Sequence, residues 1–158
     1  MPAAKERFSS MTESGYDTSS AGANPARPQF PNARVLVVDD VTANLAAVRA
    51  VLKPCGMRID CINSGQKALE LIRRDDVQYD AIFMDHLMPE MDGIQTVRLI
   101  RCETANDYVK TVPIIALTAS SDGGAEELFL KNGFQDFLSK PVDVNCLDAV
   151  LRKWLGGK

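Results

Sequence analysis

The feature that most narrows what this chain can fold into is an alternation. Strand-like runs at residues 35–38, 58–62, 81–84, 112–117 and 136–139 are each followed by a stretch in which apolar residues return at helical spacing. The runs at 35–38 and 81–84 carry no polar residue on either side, as strands covered on both faces do, whereas 58–62 is weaker. The last helical stretch, with Leu147, Val150, Leu151 and Trp154, has the clearest single apolar stripe. A strand that returns to its own sheet through a helix does so in parallel and by a right-handed crossover. Repeated five times, the unit predicts an α/β fold: a doubly wound, five-stranded parallel sheet with five helices on its two faces.

Local signals place the element ends. Thr42 and Ser64 stand where helix N-caps are expected, Pro54 stops the first helix and Gly133 the fourth. Asp92-Gly93 predicts a turn and an N-cap, with Gly93 supplying backbone freedom. Arg98 and Arg101 read as a solvated face of the third helix. Residues 1–32 are different: Ser, Thr, Ala, Gly and Pro dominate, and large apolar residues such as Phe8, Met11, Tyr16 and Phe30 are scattered. That composition predicts a flexible tail or interdomain linker with a short helix near Phe8 and Met11. Residues 33–158 are then the globular domain, a length that supports one core and not two.

Charge excludes several function classes. The net charge is −3 and no basic cluster is longer than a pair such as Arg73-Arg74, so no stripe suits a phosphate backbone and no nucleic-acid partner is expected. No apolar run approaches the ~20 residues that span a bilayer, and the N-terminus lacks a signal-peptide core. A cytoplasmic protein without membrane contact follows as the expectation. Cys55, Cys61, Cys102 and Cys146 show no C-x-x-C spacing, so they read as reduced thiols, not zinc ligands.

The chemistry sits where the strands stop. In an open parallel sheet, ligands bind outside the carboxyl ends of the strands, where the loops diverge. Asp39 and Asp40 close the first run, and Asp85 closes the third. If those strands are central neighbours, three carboxylates converge, and their repulsion demands a divalent cation or a proton. An all-oxygen set favours Mg2+ or Mn2+. Taken singly, each residue has a plainer reading. Asp39 and Asp40 suit the positive end of the helix that follows, Lys140 is a solvated charge, Thr118 is a helix cap, Phe137 a packing aromatic and His86 a loop histidine without a role.

Four motifs in order carry a resemblance. They are Val38-Asp39-Asp40, the segment from Met84-Asp85-His86-Leu87-Met88-Pro89 to Asp92-Gly93, Ala116-Leu117-Thr118-Ala119, and Lys140-Pro141-Val142. From residue 33 to about 155 the chain resembles a response-regulator receiver domain of two-component signalling, and the phrasing around Asn44 and Pro113 is similar to receivers of hybrid histidine kinases. The resemblance implies a flavodoxin-like strand order 2-1-3-4-5 and a phosphorelay role in which Asp85 accepts a phosphoryl group from a phosphohistidine. It further implies magnesium held directly by Asp40, Asp85 and the backbone carbonyl of Leu87, and by Asp39 through water. Lys140 would pair with a phosphoryl oxygen, Thr118 would donate its hydroxyl to another, and Phe137 would move with Thr118 as a switch. The implied partners are a histidine kinase or histidine phosphotransfer protein and an unnamed downstream protein. Such a domain catalyses its own phosphorylation and dephosphorylation and nothing else.

Two other classes share parts of the pattern. A haloacid-dehalogenase-like phosphohydrolase also joins an Asp nucleophile, a Lys and magnesium, and Asp40-Val41-Thr42 superficially fits its first strand. No stretch here forms a substrate-covering cap, and the Asp85 segment would go unused. A receiver-like module that binds a partner without being phosphorylated has no need of a metal site, so the full set of acids, Thr118 and Lys140 weighs against it.

Overall fold

The computed structural model describes residues 27–74, 76–102, 107–119 and 123–156. In chain order they form β1 (Arg34–Val38), α1 (Thr42–Leu52), β2 (Arg58–Ile62), α2 (Gly65–Arg73), β3 (Ala81–Asp85), α3 (Gly93–Arg101), β4 (Ile114–Thr118), α4 (Gly123–Lys131), β5 (Asp136–Ser139) and α5 (Val144–Leu155). Short 3-10 turns occupy Lys53–Cys55 and Asp107–Lys110. The sheet order is β2-β1-β3-β4-β5 and every pairing is parallel, the expected 2-1-3-4-5 arrangement. No helix among the described residues is long and apolar enough to cross a membrane.

The strands make two cores because their side chains alternate across the sheet. Val35, Val37, Phe83, Ile115 and Leu117 face α1 and α5, where Val48, Leu52, Leu147 and Leu151 close the layer. Leu36, Val38, Ile82, Met84 and Ala116 face the other way, against Ala68 and Ile72 of α2, Val97 and Ile100 of α3, and Phe129 of α4. All of β3 and β4 is buried, as the absence of polar residues within 81–84 requires, whereas β2 is half-exposed at one edge.

Several local expectations need correcting. Thr42 is the first helical residue of α1, and the N-cap is Val41, whose side chain makes no capping bond. The first acid serves the start of this helix instead, with Asp39 Oδ1 accepting from the Val41 N–H at 2.9 Å. Ser64 and Asp92 do cap, accepting from the Lys67 and Gln95 N–H groups at 3.1 and 2.8 Å. Gly93 does not have a positive φ, so it is not there for left-handed freedom. A Cβ at this position would run into the backbone carbonyl of Asp85, and a side chain would push α3 off the end of β3.

Arg101 is not a solvated residue. Its guanidinium donates to the Gly133 carbonyl at 2.7 Å, the Val109 carbonyl at 2.8 Å and Gln135 Oε1 at 2.6 Å, and burial lowers its pKa to about 10. It fastens the end of α3 to the turn before β5. Residues 27–30, assigned to the tail by composition, are also packed. Phe30 is buried in the α1–α5 core and its N–H donates to the Cys55 carbonyl at 2.8 Å. Arg27 Nη2 lies 2.7 Å from Asp148 Oδ1, with both side chains largely buried. The packed region therefore extends back at least to Arg27, and the helix expected near Phe8 and Met11 lies outside the described residues.

Candidate functional site

Parallel strands with matched register finish along one edge, and that edge assembles the site. Val38, the last residue of β1, pairs with Met84 of β3, so Asp39 and Asp85 both leave the sheet at the same level. Asp85 in turn pairs with Leu117 of β4, and Thr118 pairs with Ser139 of β5, which puts Lys140 one residue past the edge. The Lys140 N–H donates to the Thr118 carbonyl at 2.7 Å, fixing where the lysine side chain starts.

Asp39, Asp40 and Asp85 each bring a carboxylate oxygen to within 4.8 Å of the others. Lys140 Nζ lies 2.7 Å from Asp85 Oδ1 and 3.3 Å from Asp39 Oδ2. Asp39 is fully buried and its Oδ1 also accepts from Val41 N–H and, at 3.4 Å, from Asn44 Nδ2. Asp85 is 3% exposed yet lies on a cleft, along with Asp40, Leu87, His86 and Lys140. Burial pushes the Asp85 carboxyl above its usual range; the Lys140 hydrogen bond opposes this, while the charges of Asp39 and Asp40 add to it. For Lys140, burial favours the neutral amine, but the Asp85 hydrogen bond and the charges of Asp85 and Asp39 outweigh it and the ammonium is held above its usual pKa.

Burial is the first cause of the Asp85 shift, with the charges of Asp39 and Asp40 adding to it, and the Lys140 shift reflects the acids around the ammonium. Three carboxylates against one ammonium leave a formal −2. Clustered oxygen donors with that excess, open on one side, suit a hard divalent cation that keeps part of its water shell. The residues present thus fit magnesium.

The other expected residues are placed as follows. Leu87 is on the cleft rim and is 70% exposed. Thr118 is buried at the end of β4. Phe137 is half-buried on β5 and packs on the α2–α3–α4 side of the sheet. Neither is among the residues that line the cleft. Composition and spacing gave no hint that Asn44 would reach Asp39, or that the ring of His86 would meet Phe129 of α4, with centroids 4.9 Å apart. Such contacts are set by how helices seat on the sheet, which no local pattern encodes.

Comparison with known proteins bears on the family and the fold. A family model described as the response regulator receiver domain matches residues 35–152. The chain is 35% identical over 123 residues to the sensor protein GacS of Pseudomonas syringae pv. syringae, an alignment covering 78% of this chain and 13% of that protein. The chain thus spans a small part of the length of the curated relatives it matches. Among solved structures it is similar to the receiver domain of the sensor histidine kinase PA1611 from Pseudomonas aeruginosa PAO1, which has a magnesium ion coordinated in its active-site cleft. That match is 35% identical, covers 78% of this chain and 98% of the other, and has a TM-score of 0.69. It is also similar to a chain in the co-crystal structure of the Saccharomyces cerevisiae histidine phosphotransfer protein Ypd1 with the receiver domain of Ssk1. Here the identity is 28%, the coverage 79% and 90%, and the TM-score 0.68.

Proposed function

Since the chain belongs to the response regulator receiver domain family, with a role in two-component signalling, we propose that Asp85 is its phosphoacceptor and that the donor is a phosphohistidine on a kinase or phosphotransfer protein. The observation that carries this reading is the convergence of Asp39, Asp40 and Asp85 within 4.8 Å, with the Lys140 ammonium against Asp85. A carboxylate oxygen of Asp85 bonds to phosphorus as the P–N bond breaks, and the bonding pair leaves on the imidazole nitrogen. Lys140 then exchanges part of its contact with Asp85 for a phosphoryl oxygen, so positive charge is already in place where negative charge grows.

Asp40, Asp85 and the Leu87 carbonyl would hold magnesium, with Asp39 in an outer, supporting role, and the bound ion would supply charge neutralisation between the carboxylate and the incoming phosphoryl group. Asp39 is suited to the outer role because its own oxygens are already bonded to Val41, Asn44 and Lys140. Thr118 supplies a hydroxyl at the end of β4, and Phe137, on the neighbouring strand, is the aromatic whose packing would follow it. An apolar groove beside the cleft, formed by Ala47, Val48 and Val51 of α1 with Pro141 and Val142, offers the donor protein a docking surface next to the acids. The acyl phosphate is later lost to water, so the chain acts as a catalyst only upon itself.

The test is incubation with acetyl phosphate and magnesium followed by intact mass measurement. Wild type gains one labile phosphoryl group and Asp85→Asn gains none. Equal labelling of the two proteins rules out Asp85, and turnover of a phosphate ester that depends on Asp40 would point to a hydrolase.

A further inference from the structure

His86 is the chain's single histidine. It follows Asp85 and forms part of the cleft wall. Its backbone is pinned on both sides: its N–H donates to the Leu117 carbonyl at 3.0 Å, and its carbonyl accepts from the Gly93 N–H at 2.9 Å. The ring meets Phe129 of α4 edge-to-face, with centroids 4.9 Å apart and planes at 88°. Phe129 is 1% exposed, and its ring in turn meets Phe134, with centroids 5.3 Å apart. Phe134 opens the turn into β5, the strand that carries Phe137 and leads to Lys140. His86 therefore borders the acid cleft while its ring bears on the buried face of a helix whose outer residues include the exposed Leu128 and Leu130.

An edge-to-face contact depends on ring orientation, because the positive rim of one ring must address the negative face of the other. A phosphoryl group on Asp85 occupies the cleft that His86 walls and adds about −1.5 to −2 charges there. The pinned backbone leaves the His86 ring as the part able to respond, and Phe129 as the first group to register it. We propose that His86 is a positioning residue that ties the seating of α4 to the state of Asp85, so that the outer Leu128 and Leu130 positions shift with it. This rests on Asp85 being the phosphoacceptor.

The experiment treats the full chain with acetyl phosphate and magnesium, reads phosphoryl occupancy by intact mass, and follows amide hydrogen exchange at residues 126–131, compared at equal occupancy. In wild type, exchange there changes by at least about threefold on phosphorylation. The change is lost in His86→Ala and in Phe129→Leu, and His86→Phe, which keeps a ring, restores it. A His86→Ala protein whose α4 responds like wild type overturns the proposal, and so does a phosphorylated wild type with no response in α4. Wild type that gains no phosphoryl group removes the acceptor reading itself and this inference with it. If His86→Ala is not modified, Phe129→Leu, which leaves the cleft residues in place, decides by the same exchange measurement.

Discussion

Lys140 Nζ lies 2.7 Å from Asp85 Oδ1 although 55 positions separate the two residues in the chain. They meet because β3, β4 and β5 lie side by side, run parallel and stop together. With a second acid, Asp39, at 3.3 Å, the lysine is the cation that makes this cluster of buried carboxylates tolerable.

Removing that cation tests the role of charge balance in the cleft. Lys140→Met strands two largely buried carboxylates, and without divalent metal it should lower stability by about 3 kcal/mol. Asp85→Asn should do the opposite. The burial and like charges that raise the Asp85 pKa also oppose its ionised form at neutral pH, so the amide should stabilise the apo protein by about 1 kcal/mol. Urea denaturation at pH 7 in EDTA measures both, and midpoints shifted the other way would contradict the charge excess argued above.

Metal binding has its own readout. A ligand that binds only the folded state stabilises it by about 2.7 kcal/mol at 100 times its Kd. The thermal midpoint of wild type should therefore climb with magnesium concentration, and that of Asp40→Asn should stay flat. A variant that climbs in parallel with wild type would remove Asp40 from the ligand set.

Two glycines should be intolerant of Ala for steric reasons. At Gly93 a Cβ meets the backbone carbonyl of Asp85, and at Gly65 it meets Thr96 Oγ1. Gly93→Ala should cost about 2 kcal/mol and misplace the acceptor loop, because a backbone group has nowhere to go. Gly65→Ala should be partly rescued by Thr96→Ala, whereas the same second change should not help Gly93→Ala. Thermal denaturation of the single and double variants distinguishes the two cases.

Tyr79 predicts an alkaline limit. Its hydroxyl donates to Asp60 Oδ2 at 2.7 Å. Burial foremost, and then that hydrogen bond and the Asp60 charge, raise its pKa above the usual 10.0. The unfolded chain releases this proton first, so the stability it contributes is complete below pH 10 and is lost as pH rises towards the folded-state pKa. The slope from this one proton is about 1.4 kcal/mol per pH unit. Tyr79→Phe should be less stable at pH 7 but show a shallower decline above pH 10. Parallel declines in the two proteins would show that the hydroxyl is not the group responsible.

Much of the fold was legible because its causes are periodic. The unbroken apolar runs at 35–38 and 81–84, and the stripe through Leu147, Val150 and Leu151, set the element types, and strand–helix–strand repetition restricts the pairing to parallel. Element ends were less secure. At α1 the helix already includes Thr42, so Val41 takes the N-cap position without a side-chain bond and Asp39 accepts from its N–H. Arg101 misled for a related reason: its position on the helix looks solvated until the turn at Gly133 folds over it.

What the sequence determined by itself was the inventory: acids at the ends of the first and third strands, a hydroxyl after the fourth and a lysine after the fifth, in an order that only a parallel sheet can align. What tertiary structure alone decided was the company those groups keep: Asn44 against Asp39, Gly93 pressed on the Asp85 carbonyl, and His86 against Phe129. Chain periodicity fixes which face a residue takes, but distances between elements depend on how whole helices settle on the sheet. That settling minimises the packing energy of both cores together, so no single segment contains it.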